Sequence, residues 1–317
     1  MWTYAIRRVL LAIPTILILV TLIFFFIRVV PGDLALLYLG PEAGIPSEEQ
    51  LRTIRHQLGV DRPLYQQYGE FIWGLVRLDL GRSMWTRRPV FDELTARLPL
   101  TFELALGAIV LSIVLALPLG VIAGVHQDTW ADYIIRVVSI GGIAAPSFWI
   151  AILILFFLLW LFVWSPPMQF SLPWEDPAAN MQQMIWPIMA IGYRTMAVLT
   201  RMMRSSILEV IREDYIRTAR AKGLAGWVVV IRHAVRNALL PVITIIGLEF
   251  AFLMGGTLTT EVVFNLNGVG RFLVDAVTYR DYTVIQALVV MAGVFFTVVN
   301  LSIDLVYGWI DPRITYK

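Results

Sequence analysis

The 317-residue chain contains no cysteine. That excludes disulfides, thiolate metal sites and cysteine nucleophiles. Only three histidines are present, His56, His126 and His233, far apart in sequence, so no histidine-based metal site is expected. There are two lysines, Lys222 and Lys317. A phosphate-binding loop needs Gly-Lys followed by Ser or Thr, and neither lysine stands in that context. The chain is therefore not expected to bind ATP through such a loop. Serine-hydrolase elbows and zinc-protease motifs are missing too. Charged residues make up 15% of the chain and hydrophobic ones 58%. With a mean hydropathy of +0.74, that composition excludes a disordered chain and argues against an ordinary soluble domain.

What is present is a series of long apolar runs. Six segments are long enough to cross about 30 Å of hydrocarbon as helices: 9–27, 102–123, 134–161, 185–203, 238–260 and 284–309. The first follows Arg7 and Arg8, as a signal peptide would, but its run is long and lacks a small-residue cleavage site. It is read as an uncleaved anchor. Arginine placement sets the orientation. Arg7, Arg8, Arg136, the 201–236 cluster, Arg313 and Lys317 fall on one side. The short loop 162–183 opposite has no Lys or Arg. Both termini are expected in the cytoplasm. The expectation is an all-α membrane protein of six transmembrane helices. Residues 1–27 are its N-terminus and first helix, 28–100 a small extracytoplasmic domain, 101–309 a five-helix core and 310–317 a cytoplasmic tail.

In the 28–100 segment, Pro31-Gly32 ends the first helix. A helix over 47–58 follows, with Ser47 as cap, Glu48 and Glu49 in its first turn and Gly59 as its stop. Tyr65, Tyr68, Phe71, Ile72 and Leu75 share one face of a second helix, read as a packed cap over the bundle or a contact for another protein. The pairs Glu48/Glu49 and Asp92/Glu93 read as surface. Within the spans, Glu103 lies close enough to an interface to reach water. Pro146, after Gly141 and Gly142, predicts a kink. Arg194 and Glu249 fall near the middle of their spans, where a charge needs a partner or a wet cavity. Counted from the outer ends they stand at similar depth and can pair. Arg201 and Arg204 reach the inner interface and need no special role.

The one long polar run of the second half is 209–241, EVIREDYIRTARAKGLAGWVVVIRHAVRNALLP. The part before Gly223 has helical spacing, Gly223 suits a left-handed stop, and 227–235 restarts the pattern. Ile211, Tyr215, Ala219, Leu224, Val228 and Ile231 are interleaved with the arginines and form an apolar stripe that needs a partner. DNA binding is disfavoured, because the basic cluster sits on a membrane loop with no recognition fold.

DYIRTARAKGL followed by RHAVRNALLPVIT resembles the cytoplasmic coupling loop of ABC-importer permeases, closest to the dipeptide/oligopeptide/nickel/glutathione group. Gly223 matches the motif glycine and Ala219 its second alanine. Arg217 and Thr218 stand where the generic motif has Glu and Ala, and Pro241 lies further on than usual. Three more stretches resemble the group. They are GVDRPLYQQYGEFIWGLVRLDLGRS at 59–83, the E-x-x-F…G-x-G pattern at Glu261, Phe264, Gly268 and Gly270, and a C-terminal signature. In the second, Asn267 replaces the usual proline. The signature is carried by Asn300, Asp304, Tyr307, Asp311, Pro312 and Arg313.

The resemblance implies a type I ABC importer permease fold in a bacterial or archaeal cytoplasmic membrane. Its coupling loop, 205–237, would engage the ATPase through Asp214, Tyr215, Arg217, Thr218, Ala219, Ala221, Lys222, Gly223, Leu224, His233 and Arg236. Arg194, Glu249, Glu261 and Pro146 are candidates for the solute path. The implied partners are a second, distinct permease chain, two ABC ATPase subunits carrying ATP and Mg, and an extracytoplasmic substrate-binding protein. The chain itself is expected to hold no cofactor. An intramembrane enzyme built on Glu249, Arg194 and Asp304 is the alternative, but it lacks a nucleophile or metal. A secondary transporter would predict inverted repeats with broken helices, and no convincing repeat is present.

Overall fold

The computed structural model describes residues 2–29, 34–39, 46–57, 59–167, 170–255 and 257–310. Among them every regular element is helical: α1 (Trp2–Val29), α2 (Leu34–Leu39), α3 (Glu48–Gln57), α4 (Leu64–Val76), α5 (Val90–Val125), α6 (Trp130–Ala144), α7 (Ser147–Phe162), α8 (Pro177–Val210), α9 (Asp214–Ala221), α10 (Gly226–Val228), a π-helical stretch (Val229–Val235), α11 (Arg236–Met254), α12 (Leu258–Val263), α13 (Val269–Thr278) and α14 (Tyr282–Ile310). Pro31, Gly32, Leu58, Gly256, Asp311, Pro312, Arg313 and Lys317 lie outside the described residues.

Four described stretches are long and apolar enough to cross a membrane: Ile6–Val29, Val90–Val125, Gly226–Met254 and Tyr282–Leu305. The pair α6 and α7 makes a fifth only as a broken span, because the two meet at 102°. The continuous helix expected over 134–161 is therefore corrected. Pro146 does not kink one helix. Its fixed φ and missing N–H put Ala145 into an extended conformation that ends α6, and α7 starts at the next residue. The segment 185–203 lies inside α8, a 34-residue helix less apolar than the others because it carries Arg194, Arg201 and Arg204. The run expected over 238–260 both starts and stops earlier, as the continuous helical stretch Gly226–Met254. α11 stops at Met254, and α12 begins only at Leu258.

The bundle is organised around α5 and α8, which pack along each other. The contact is close because small residues line it. A Cβ on Gly120 would come within 2.6 Å of the Met203 Cβ. Ser112 donates to the Gly192 carbonyl at 2.9 Å. α1 and α14 run antiparallel, with Gly293 against Leu19 and Arg8 paired with Asp304 at 2.9 Å.

Between α1 and α5, the sequence-level expectations hold for α3. Ser47 and Gln50 make reciprocal cap bonds, Gln50 N to Ser47 Oγ and Ser47 N to Gln50 Oε1. Gly59 follows at φ 66°. α4 docks on α1, with Phe71 stacked on the buried Phe24 and the Tyr68 hydroxyl 2.7 Å from Thr21 Oγ1. Tyr65 does not join that face and is exposed. Glu93, read as surface, is buried; it accepts from the Thr86 hydroxyl and pairs with Arg97. Glu103 does not simply face water, since Asn180 Nδ2 donates to it at 3.0 Å.

Candidate coupling surface and the charges that frame it

The polar run 209–241 folds as the end of α8, the short helix α9 and, after Gly223, a helical stretch that continues from α10 through the π-helical turn into α11. The helix expected before Gly223 is split. α8 ends at Val210, residues 211–213 turn, and α9 starts at Asp214. Asp214 is well placed there, because a carboxylate at a helix N-terminus meets the positive end of the dipole. It also pairs with Arg217 at 3.3 Å, while the Thr218 hydroxyl bonds back to its carbonyl. Gly223 has φ 75°, and a Cβ added there would meet nothing within 4 Å. What the position requires of glycine is its backbone freedom, not space.

The apolar residues divide into two sets. Ile216 and Ala219 of α9, Val229 and Ala234 of the π-helical stretch, and Ala238 of α11 are buried. They pack in one cluster with Met203 and Ile207 of α8. That cluster fastens the loop to the end of the bundle. Tyr215, Leu224, Trp227 and Ile231 stay exposed, Trp227 at 72%. Arg212, Arg217, Arg220, Lys222, Arg232 and Arg236 alternate with them along the chain and are also exposed. Asn237 Nδ2 donates to the Tyr215 hydroxyl at 2.7 Å, which ties α9 to α11. Ala221 is exposed with this set and His233 is half-buried. The expected stripe thus splits: Ala219 is spent on the chain's own core, and Ile211 and Val228 are half-buried.

The restart after Gly223 is not a plain α-helix. Val229–Val235 is a π-helix, a form that is rare, short and frequent at functional sites. Nothing in the residue pattern announces it. Its place, between the exposed surface and the span carrying Glu249, joins the two parts of the candidate site.

Arg194 of α8 and Glu249 of α11 come together: Nη1 stands 3.6 Å from Oε2. The geometry is loose. Their side chains are 41% and 15% exposed, and Glu249 Oε2 is buried without a hydrogen bond. Asp304 pairs instead with Arg8 of α1, so the cluster of Glu249, Arg194 and Asp304 is not assembled.

The charge pair that sequence reasoning missed lies about three turns further along α8, nearer the loop that follows it. Asp132, at the start of α6, is 0% exposed. Arg204 of α8 holds it in a fork, Nε to Oδ1 at 2.7 Å and Nη2 to Oδ2 at 2.8 Å. The Asp128 amide donates to it at 3.0 Å, and Arg136 stands 3.5 Å away. The view that Arg204 merely reaches the interface is corrected. A buried carboxylate needs a bidentate partner, and Arg is the residue that supplies one.

Glu261 is also fully buried. Its carboxylate accepts from the Thr101 and Thr257 hydroxyls and from the Arg271 amide, each at 2.9 Å. Arg271 is the third residue of α13, so Glu261 caps a helix from another element. Burial pushes its carboxyl above the ordinary value, against the pull of these bonds. A side chain on Gly268 would collide with that carboxylate, and a Cβ on Gly270 would come within 2.6 Å of the Leu258 Cα. The spacing of Glu261, Gly268 and Gly270 is therefore the geometry of one cap. The oxygens of Glu261, a candidate for the solute path, are enclosed and occupied by these bonds.

Residues 116–316 match the family described as the binding-protein-dependent transport system inner membrane component. Residues 1–105 match the N-terminal region of such a membrane component. The chain is 39% identical over 317 residues to the glutathione transport system permease protein GsiC of Escherichia coli (strain K12), with all of both chains covered. It is equally similar to the proteins of that name from Shigella dysenteriae serotype 1 (strain Sd197) and Shigella boydii serotype 4 (strain Sb227), again over the whole of each chain. The chain belongs to the family of inner membrane components of binding-protein-dependent transport systems, and it is a transmembrane permease subunit of such an importer rather than an enzyme.

Proposed function

We propose that this chain is one of two distinct permease halves of an ATP-driven importer for peptides or a related small solute such as glutathione. Its six spans count α6 with α7 as one broken crossing and α8 as another, and both termini lie on the cytoplasmic side. A binding protein delivers the solute to the opposite side, where 28–100 lies. Two ATPase subunits, which bind ATP and Mg, seat on 205–237. The single observation that carries the coupling part is the exposed apolar set Tyr215, Leu224, Trp227 and Ile231, interleaved in sequence with exposed arginines, on a loop anchored by the buried Ile216 and Ala219. A buried apolar centre with a polar rim is how protein interfaces are built. Arg194, Glu249 and Pro146 contribute to the solute path: the loosely held, partly exposed pair near mid-span is free to exchange partners with a charged solute group. The glutathione reading rests on the relatives' names and full-length similarity.

The test is to purify the assembled complex and measure its native mass. Two different permeases and two ATPase chains are expected. Leu224→Asp should remove the ATPases while leaving the permease pair intact, since Leu224 contributes to the exposed face and not to the core. Retention of stoichiometric ATPase in that variant, or a homodimer of this chain, would contradict the corresponding part of the reading.

A further inference from the structure

A groove of about 520 Å³ opens between α1, α4, α5 and α14. It reaches from the end of the bundle that carries residues 46–89 to its centre. Leu17 and Val294, both in its lining, stand at the midpoints of Ile6–Val29 and Tyr282–Leu305. Ile72 and Leu75 of α4, with Leu94 of α5, wall its other end. One lining residue of eighteen is polar, Thr95. Its hydroxyl is already bonded to the Phe91 and Asp92 carbonyls. The lining side chains therefore offer no free hydrogen-bond donor to a polar occupant, and the groove suits an apolar one.

Its depth and the side chains beside it identify the occupant. Half of a hydrocarbon core of about 30 Å is about 15 Å, the reach of one leaflet's acyl chain. The groove covers that half of the bundle. It is continuous with the lipid-facing surface of α1, since Leu17 lines it and, like Ile13 and Ile18, is exposed. On α4, next in sequence to the lining residues Ile72 and Val76, Trp73 is exposed and Arg77 lies over its ring at 4.5 Å. An exposed tryptophan paired with an arginine is the combination that meets lipid headgroups at a membrane interface. Asp79, the nearby acid, is bonded to the Gly81 amide. We propose that this groove holds one acyl chain of a glycerophospholipid from the leaflet on the side of residues 46–89, with Arg77 and Trp73 at the phosphate. α4 is then a membrane-embedded element closed over a lipid, rather than a cap standing clear of the bilayer.

The test uses the full chain in its assembled complex, reconstituted in phosphatidylethanolamine/phosphatidylglycerol vesicles doped with a phospholipid that carries a photoreactive group on its acyl chain. Cross-linked peptides are mapped by mass spectrometry. The groove reading expects labelling of the α4, α5 and α14 segments that line it, and loss of that labelling when the groove is filled by Thr95→Trp. Labelling of the outward-facing α7 surface should persist in the variant, which shows that the protein still inserts. Arg77→Gln should lower groove labelling by the anionic lipid more than by the zwitterionic one. Groove labelling that is absent in the parent, or unchanged by Thr95→Trp, would overturn the proposal. So would a photoreactive residue at position 95 that captures a peptide of a partner permease in place of lipid.

Discussion

At the scale of single residues, the energetics concentrate in charges that the chain hides. Asp132 is enclosed, and its stability depends on the fork from Arg204. Removing one partner of such a pair strands the other, at about 3–5 kcal/mol. Asp132→Asn is thus expected to lower the unfolding midpoint in detergent, and Arg204→Met added to it should recover part of the loss. A double variant no better than the single would show that the pair is not the unit. Glu261 supplies a pH-dependent counterpart. Burial holds its carboxyl above the ordinary value. A group raised in this way contributes stability below its unfolded value, and that contribution is lost as pH rises through the folded one. The Arg271 amide, followed by hydrogen exchange, should lose protection in the parent as pH rises above the ordinary carboxyl range. Glu261→Gln should be less stable by about 1–3 kcal/mol at the acid end, because three donors converge where an amide offers one oxygen. Its exchange should not share the parent's pH dependence.

At the scale of elements, the informative features are interruptions. The sequence marks one of them plainly. Gly223 is where the helical pattern before it stops, and the structure holds it at φ 75° with open space around it. Gly223→Val would force a β-branched residue into that conformation, at about 1–3 kcal/mol. Because nothing crowds the site, the cost is purely one of backbone, and Gly223→Asn should recover most of it. The expected readout is a fall in ATPase activity that depends on the binding protein, restored in the Asn variant. Normal coupled transport by the Val variant would contradict the role assigned to this turn. The other interruptions are marked less clearly. Pro146 is visible, but a proline inside an apolar run is compatible with a modest kink or with a complete break. Only the packing of α6 against α8 and of α7 against α8 and α12 selects the 102° turn. The π-helix at Val229–Val235 has no residue signature at all.

At the scale of the whole molecule, α8 connects the parts. It carries Arg204 toward the coupling surface and Arg194 toward α11. A sealed mid-membrane pair would be structural, and deleting one member would cost as much as at Asp132. The Arg194–Glu249 contact is neither sealed nor saturated, so Glu249→Gln is expected to cost less, about 1–3 kcal/mol. Its larger effect should fall on transport. Measured in vesicles of the complete importer, Glu249→Gln and the double variant with Arg194→Gln should both assemble, and uptake should drop in both. If the double variant restores uptake together with stability, the pair serves architecture alone and the solute path lies elsewhere.

The sequence by itself determined the membrane class, the long apolar runs and the place of the basic loop between α8 and α11. Each of these follows from local properties: hydropathy over some twenty residues, the position of arginines, and a glycine that ends a helical pattern. It also determined the α3 cap, because Ser47 and Gln50 are neighbours in the chain. Tertiary structure alone decided which charges are spent. Asp132 and Arg204 are 72 residues apart, and Thr101 and Glu261 are 160 apart. No periodicity relates such positions. Whether a charged side chain near a helix end reaches water or a buried partner depends on what the neighbouring helix presents there. For the same reason the apolar stripe of the coupling loop looked uniform in the sequence. Packing against Met203 and Ile207 divided it into an anchor and an exposed face.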